Sequence, residues 1–241
     1  MRMIGHDKPL SFHYIFKFID GTSRGFEVSL DPRTLNRIGP EAQTYPEWTA
    51  LAFSRCENCP LDARQHEFCP IAVAVSGIVD AFKDHLSYEN AYVLVMTAQR
   101  DISKNTTVEE GLSSLLGIYM VTSGCPVMEK LKPLVRYHLP FATLHETVVR
   151  VTSMYLLIQY FLKRRGKKPD WELKKLEAIY EGVMKVNAGM SLRFKNAAKS
   201  DANMTAISTL NKLASLVPFV ITDTMDEIEE SLSSYLSEEK T

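Results

Sequence analysis

Four cysteines carry the most chemistry in this chain. Cys56-Glu-Asn-Cys59 is a CxxC knuckle, Cys69 follows ten positions after Cys59, and Cys125 stands far along the sequence. A CxxC turn sets two thiolates on one cation, and a short loop can supply a third. Cys69-Pro70 and Cys125-Pro126 are both predicted to open helices, because proline suits the first helical position, where its missing amide costs nothing. Each sulfur would then stand at a helix cap, where the positive end of the dipole favours thiolate, the form that binds metal. The spacing therefore predicts one metal site made of Cys56, Cys59, Cys69 and Cys125. Four thiolates suit tetrahedral zinc first and an iron–sulfur cluster second. His66, inside the cysteine loop, is an alternative fourth ligand, although a loop histidine is more often simply solvated. Two competing readings stand beside the metal. Free cysteines can pack as small hydrophobes, or Cys56 and Cys59 can form a redox pair after a strand. The redox reading is weakened by Pro60-Leu61-Asp62, which starts no helix behind the motif.

Other groups are less directed. His138, His145 and Glu146 invite a catalytic reading, but Thr143-Leu-His-Glu146 spells a capping box that already uses the glutamate. The sequence holds no HExxH, P-loop, GxGxxG or GxSxG. An enzyme or redox function would have to use a site near Cys125 or His138. A third reading is a helical interaction module with inert cysteines that could form a homo-oligomer; Met225, Ile228, Leu232 and Leu236 make a narrow apolar stripe for it in the acidic C-terminal segment. Lys163-Arg-Arg-Gly-Lys-Lys168 fits a solvated linker at a helix C-terminus, with an anionic surface as the sharper alternative. Polar residues inside apolar-patterned helices (Asn187, Arg193, Asp201, Asn203) are expected to form internal hydrogen bonds.

The elements that must position these groups follow from patterning. Lys plus Arg is 28 and Asp plus Glu 29, a formal net charge of −1, which argues against nucleic acid as the main partner. The N-terminal residues lack the apolar core of a secretory signal, and the apolar stretch Val151 to Leu162 is too short to span a bilayer. A reducing, cytoplasmic setting without a transmembrane segment is the expectation. Phe12, Tyr14, Phe16 and Phe18 alternate with polar or outward positions, as do Phe26, Val28 and Leu30, predicting a hairpin with Asp20-Gly21 and Gly25 around its turn. A third strand is expected over Trp48 to Ser54, a helix over Pro70 to Leu86 and a buried strand over Ala91 to Thr97. Capping boxes at Thr107–Glu110 and Thr143–Glu146 open helices ending near Gly124 and Arg165. A long amphipathic helix carries Leu173 to Phe194, another covers Asp201 to Leu216, and Thr224 to Glu227 caps a last acidic one. The fold class is α+β: a small, mainly antiparallel sheet with one helix over residues 1–105, then about five helices bundled over 106–241. The cysteine site would sit at the junction of these parts.

Cys56-x-x-Cys59-Pro-Leu with Cys69-Pro70, Ser123-Gly-Cys125-Pro126, His138-Leu-Pro-Phe141 and Tyr155-Leu-Leu-x-Gln159-Tyr160 resemble an uncharacterised family of bacterial proteins. The likeness runs from the first cysteine to about residue 215. It implies a bacterial, cytoplasmic setting, carries no activity, and marks the cysteine steps and the His138–Phe141 segment as residues of interest.

Overall fold

The computed structural model of the protein describes residues 8–39, 44–197 and 200–238. Five strands form one wholly antiparallel sheet: β1 (Leu10–Phe18), β2 (Ser23–Leu30), β3 (Arg37–Ile38), β4 (Asn90–Met96) and β5 (Asp101–Thr107), in the order β3-β2-β1-β4-β5. The helices are α1 (Pro70–Ala81), α2 (Val108–Val121), α3 (Leu144–Arg164), α4 (Lys174–Ala197), α5 (Asp201–Ser231) and the short α6 (Ser233–Glu238). The fold is α+β.

Alternation dictates the sheet. Phe12, Tyr14 and Phe16 of β1, Val28 and Leu30 of β2, and Ala91, Val93 and Val95 of β4 are all buried, as period-2 side chains on one face must be. Each large apolar side chain buried this way contributes about 1.5–3 kcal/mol. Phe82, just past α1, meets Phe16 edge-on at 4.9 Å between ring centres, and α2 packs on β1 and β4. The carbonyls near the end of α1 are not left bare, because Asn203 Nδ2 donates to Val79 O at 3.0 Å and Ser200 Oγ to Phe82 O at 3.0 Å. The Asn203 bond is of the internal kind expected for that residue.

Several expectations need correction. Trp48 to Ser54 is not a strand but two short 3-10 turns, Glu47–Thr49 and Leu51–Phe53, tied to the cysteine loop by a bridge between Ala50 and Phe68. Gly25 lies inside β2, paired with Ile15, and does not bracket the turn. The polar sequence of β5 hides a strand, because an edge needs no second buried face and tolerates charge. Thr107 caps α2 by accepting from the Glu110 amide, but the Glu110 carboxylate turns to Lys104 and Thr106 instead of closing the box. The box at Thr143 and Glu146 is complete. Cys125-Pro126 opens a turn and then a 3-10 stretch, Met128–Tyr137, not an α-helix. The acidic helix capped at Thr224 does not begin there either. α5 runs unbroken through Pro218 to Ser231, and a single lost amide bond at the proline does not stop it.

By compactness the chain divides into two units, Met1–Phe141 with Gly182–Asn211, and Ala142–Glu181 with Lys212–Thr241. Residue 105 falls inside the first unit, because β5 closes the sheet edge and α2 packs directly on the sheet. Among the described residues, one helix, Asp201–Ser231, is long and apolar enough by length and composition to cross a membrane. Its first turns are held in the first unit by Asn203 and by Thr209, which donates to the Glu109 carboxylate.

Candidate metal centre

The CxxC turn is built by a backbone bond from the Cys59 amide to the Cys56 carbonyl, 3.1 Å. Both residues between the cysteines fasten this turn to α4. Glu57 pairs with Lys185 at 2.7 Å, and Asn58 Nδ2 donates to Gly182 O at 2.9 Å. Cys69 is the N-cap of α1 with Pro70 behind it, as the sequence predicts, and its own amide donates to Thr49 O at 2.8 Å. Cys125 follows Gly124, whose φ of +87° is a left-handed value that glycine adopts at little cost. The turn aims the Cys125 sulfur at the backbone amides of Val127 and Met128.

All four cysteines line one cavity of about 20 Å³, together with Val127 and with Val186 and Arg193 of α4. Every one of these residues belongs to the first compact unit. None of the cysteines is in a disulfide. Burial pushes the Cys56 thiol up to about 12, and the neighbouring Cys69, Cys59 and Cys125 push the same way, against a downward pull from Arg193. Burial also raises the Cys125 thiol, the two amides opposing it. The Cys56 thiol donates to Val186 O at 3.9 Å. Burial thus favours the neutral thiol at Cys56 and Cys125 until a cation compensates the charge. Among the described residues, no group of three or more His, Cys, Asp or Glu side chains is arranged to hold a metal ion as it stands.

Arg193 forms the internal hydrogen bonds expected of it, and they bear on the cysteine site. Its side chain is 1% exposed, and its guanidinium donates to Trp48 O, to Ala50 O at 2.7 Å and to Ser54 O at 2.5 Å. It therefore holds the two 3-10 turns that lead into the CxxC loop. Burial lowers its proton affinity, while Cys69, Cys56 and Cys59 raise it. The only signal in the sequence was a cation in an apolar helical stripe. That pattern gives no hint of its partners.

Gly189 of α4 makes the approach of Cys56 feasible. A Cβ there would lie 2.6 Å from Cys56 Sγ and 3.2 Å from Cys56 Cα. Gly189→Ala should therefore lose stability, since overpacking costs about 1–3 kcal/mol against a helix-propensity gain of about 1 kcal/mol. Gly77→Ala, in α1 with nothing within 4 Å of its Cβ, should gain about 1 kcal/mol. Chemical denaturation of the two variants checks the contrast in sign.

Residues 12–233 match the family model described as Domain of unknown function (DUF6901). The chain belongs to that family. No curated protein and no solved structure matches it. The DUF6901 match spans all four cysteines and Arg193.

The remaining candidates in this DUF6901 chain lie elsewhere. His66 is exposed and does not line the cysteine cavity. His138 Nε2 lies 2.5 Å from the Tyr14 hydroxyl, which also meets Ser114 Oγ at 2.9 Å. Tyr14 is fully buried, and burial raises its phenol above the ordinary range. His138 stacks edge-on with Phe12 as well, so it belongs to a core hydrogen-bond network and not to the cysteine cavity. His145 pairs at 3.6 Å with Glu227 on the surface, and Glu146 is held by its capping box.

Proposed function

We propose that this protein binds one metal ion, zinc, through Cys56, Cys59, Cys69 and Cys125, and that the ion has a structural role. The observation that carries the reading is the convergence of four cysteines from three separated stretches of chain on one cavity. In a folded core without a cation, buried thiols gain nothing from clustering that a valine would not also provide. Binding would require the sulfurs to turn from their present partners onto a shared centre. A void of about 20 Å³ holds about one small atom or water. That size supports a single ion over an iron–sulfur cluster, and a fastener over a catalyst, since a void this small holds no organic substrate. The ion would join the CxxC loop, the start of α1 and the turn after α2, all of which lie against α4 or Arg193. Structural zinc contributes folding free energy directly.

The test is elemental analysis of anaerobically purified protein, followed by replacement of the metal with cobalt. One zinc per chain, and thiolate-to-cobalt charge transfer with the intensity of a tetrahedral site, are the expected results. A brown protein with broad visible absorption would assign a cluster instead. A metal-free protein that ignores added zinc and cobalt overturns the reading.

A further inference from the structure

α3 is apolar on two opposite faces. Val148, Val151 and Tyr155 are buried, as the inward stripe of a packed helix must be. Leu157, Tyr160, Phe161 and Arg164 follow at i, i+3, i+4 and i+7, which places them on the opposite face. Leu157, Tyr160 and Phe161 are between 45% and 49% exposed. Trp171, beyond the end of the helix, is 46% exposed. The rings of Tyr160 and Phe161 pack edge-on at 5.5 Å, and the Arg164 guanidinium lies 5.9 Å from the Tyr160 ring centre.

The helix ends where its charge is densest. The Gly166 amide bonds to Lys163 O at 2.9 Å and the Lys167 amide to Leu162 O at 3.0 Å, with Gly166 at φ +72°. This is the Schellman closure, and it folds the basic run back over the last turn. Lys163, Arg164, Arg165, Lys167 and Lys168 are all exposed. Among the described residues, none of the five pairs with a carboxylate. Solvated aromatic and aliphatic side chains next to five unpaired cations have the two components that interfacial binding needs: apolar area to enter the acyl boundary and positive charge for the headgroups. Aromatic rings of the Trp and Tyr type partition to that depth.

We infer that the C-terminal half of α3, with the Lys163–Lys168 run, docks this protein peripherally on an anionic lipid bilayer. The occupant is the bilayer surface and not a nucleic acid, because a phosphate backbone would use the cations and leave Leu157 and Phe161 in water. The inference is independent of the cysteine site.

Flotation of the full-length protein with vesicles tests it, comparing phosphatidylcholine alone with phosphatidylcholine carrying phosphatidylglycerol. The expected result is recovery with the anionic vesicles only, weakened by salt, together with quenching of Trp171 by brominated lipid that a Trp171→Phe variant lacks. Lys163→Glu/Arg165→Glu and Leu157→Ser/Phe161→Ser alter exposed positions and should each reduce partitioning by roughly tenfold or more. Loss in the first variant alone, with unchanged lipid quenching in the second, overturns the apolar half of the inference. Binding to duplex DNA or single-stranded RNA without vesicle recovery assigns the basic run to nucleic acid and overturns it entirely. So does a dimer, detected by light scattering, that the Leu157→Ser/Phe161→Ser variant abolishes while vesicles remain unbound.

Discussion

Zinc added to the reduced, metal-free protein is expected to raise its thermal midpoint by about 5–10 °C at a hundredfold excess over the dissociation constant. At that excess a ligand of the native state contributes about 2.7 kcal/mol. A domain of 150–250 residues shifts by about 2–4 °C for each kcal/mol. Replacing any one cysteine by alanine should abolish most of this shift, and Cys125→Ala should do so as fully as Cys56→Ala. Equality between these two variants is the discriminating feature. Cys125 is remote in sequence from the other three, so only a shared ion makes its loss equivalent to theirs. Differential scanning calorimetry under anaerobic conditions, with and without zinc, measures it. If Cys125→Ala keeps the full shift, the ion is held by three thiols and the turn after α2 is not a ligand. The metal-free variants also separate the two contributions of each cysteine, since Cys69 and Cys125, both buried, lose packing as well as a donor.

Arg193→Met should lower stability by about 3–5 kcal/mol and the midpoint by about 6–20 °C. Methionine fills similar volume, so the loss is not a cavity effect. It comes from the carbonyls of Trp48, Ala50 and Ser54 that the guanidinium now satisfies; those of Trp48 and Ser54 would lose that donor, while Ala50 keeps the Phe53 amide. Arg193→Lys keeps the charge but cannot present the fork that reaches all three, so it should recover only part of the loss. Denaturant unfolding monitored by Trp48 fluorescence is well suited, because Trp48 packs edge-on against Phe194 at 6.0 Å beside the same turns. A variant with unchanged stability would show that the turns are held by the Ala50–Phe68 bridge alone. The same substitution should weaken zinc binding, because the turns that Arg193 holds lead directly into Cys56.

The sequence alone determined the local elements whose signals are short in range. The β1–β2 hairpin follows from alternation, α1 from Pro70 behind Cys69, and the starts of α2 and α3 from Thr107 and Thr143. Each needs only a few neighbouring residues to specify it. It also marked the four cysteines as a group of interest. What it misread depended on partners it could not contain. The apolar run from Trp48 to Ser54 has strand composition, yet no neighbouring strand is available to it, and Arg193 draws its carbonyls into 3-10 turns. The polar residues of β5 form a strand because β4 offers an open edge. The helix expected over Asp201 to Leu216 continues through Pro218 to Ser231.

Only the tertiary structure could decide which residues share the cysteine cavity. Side chains far apart in the chain meet through the positions of α4 and the turn after α2, and no periodicity encodes that distance. The same holds for charge. A buried arginine or a solvated phenylalanine is defined by what surrounds it, and a sequence lists the residue without its surroundings.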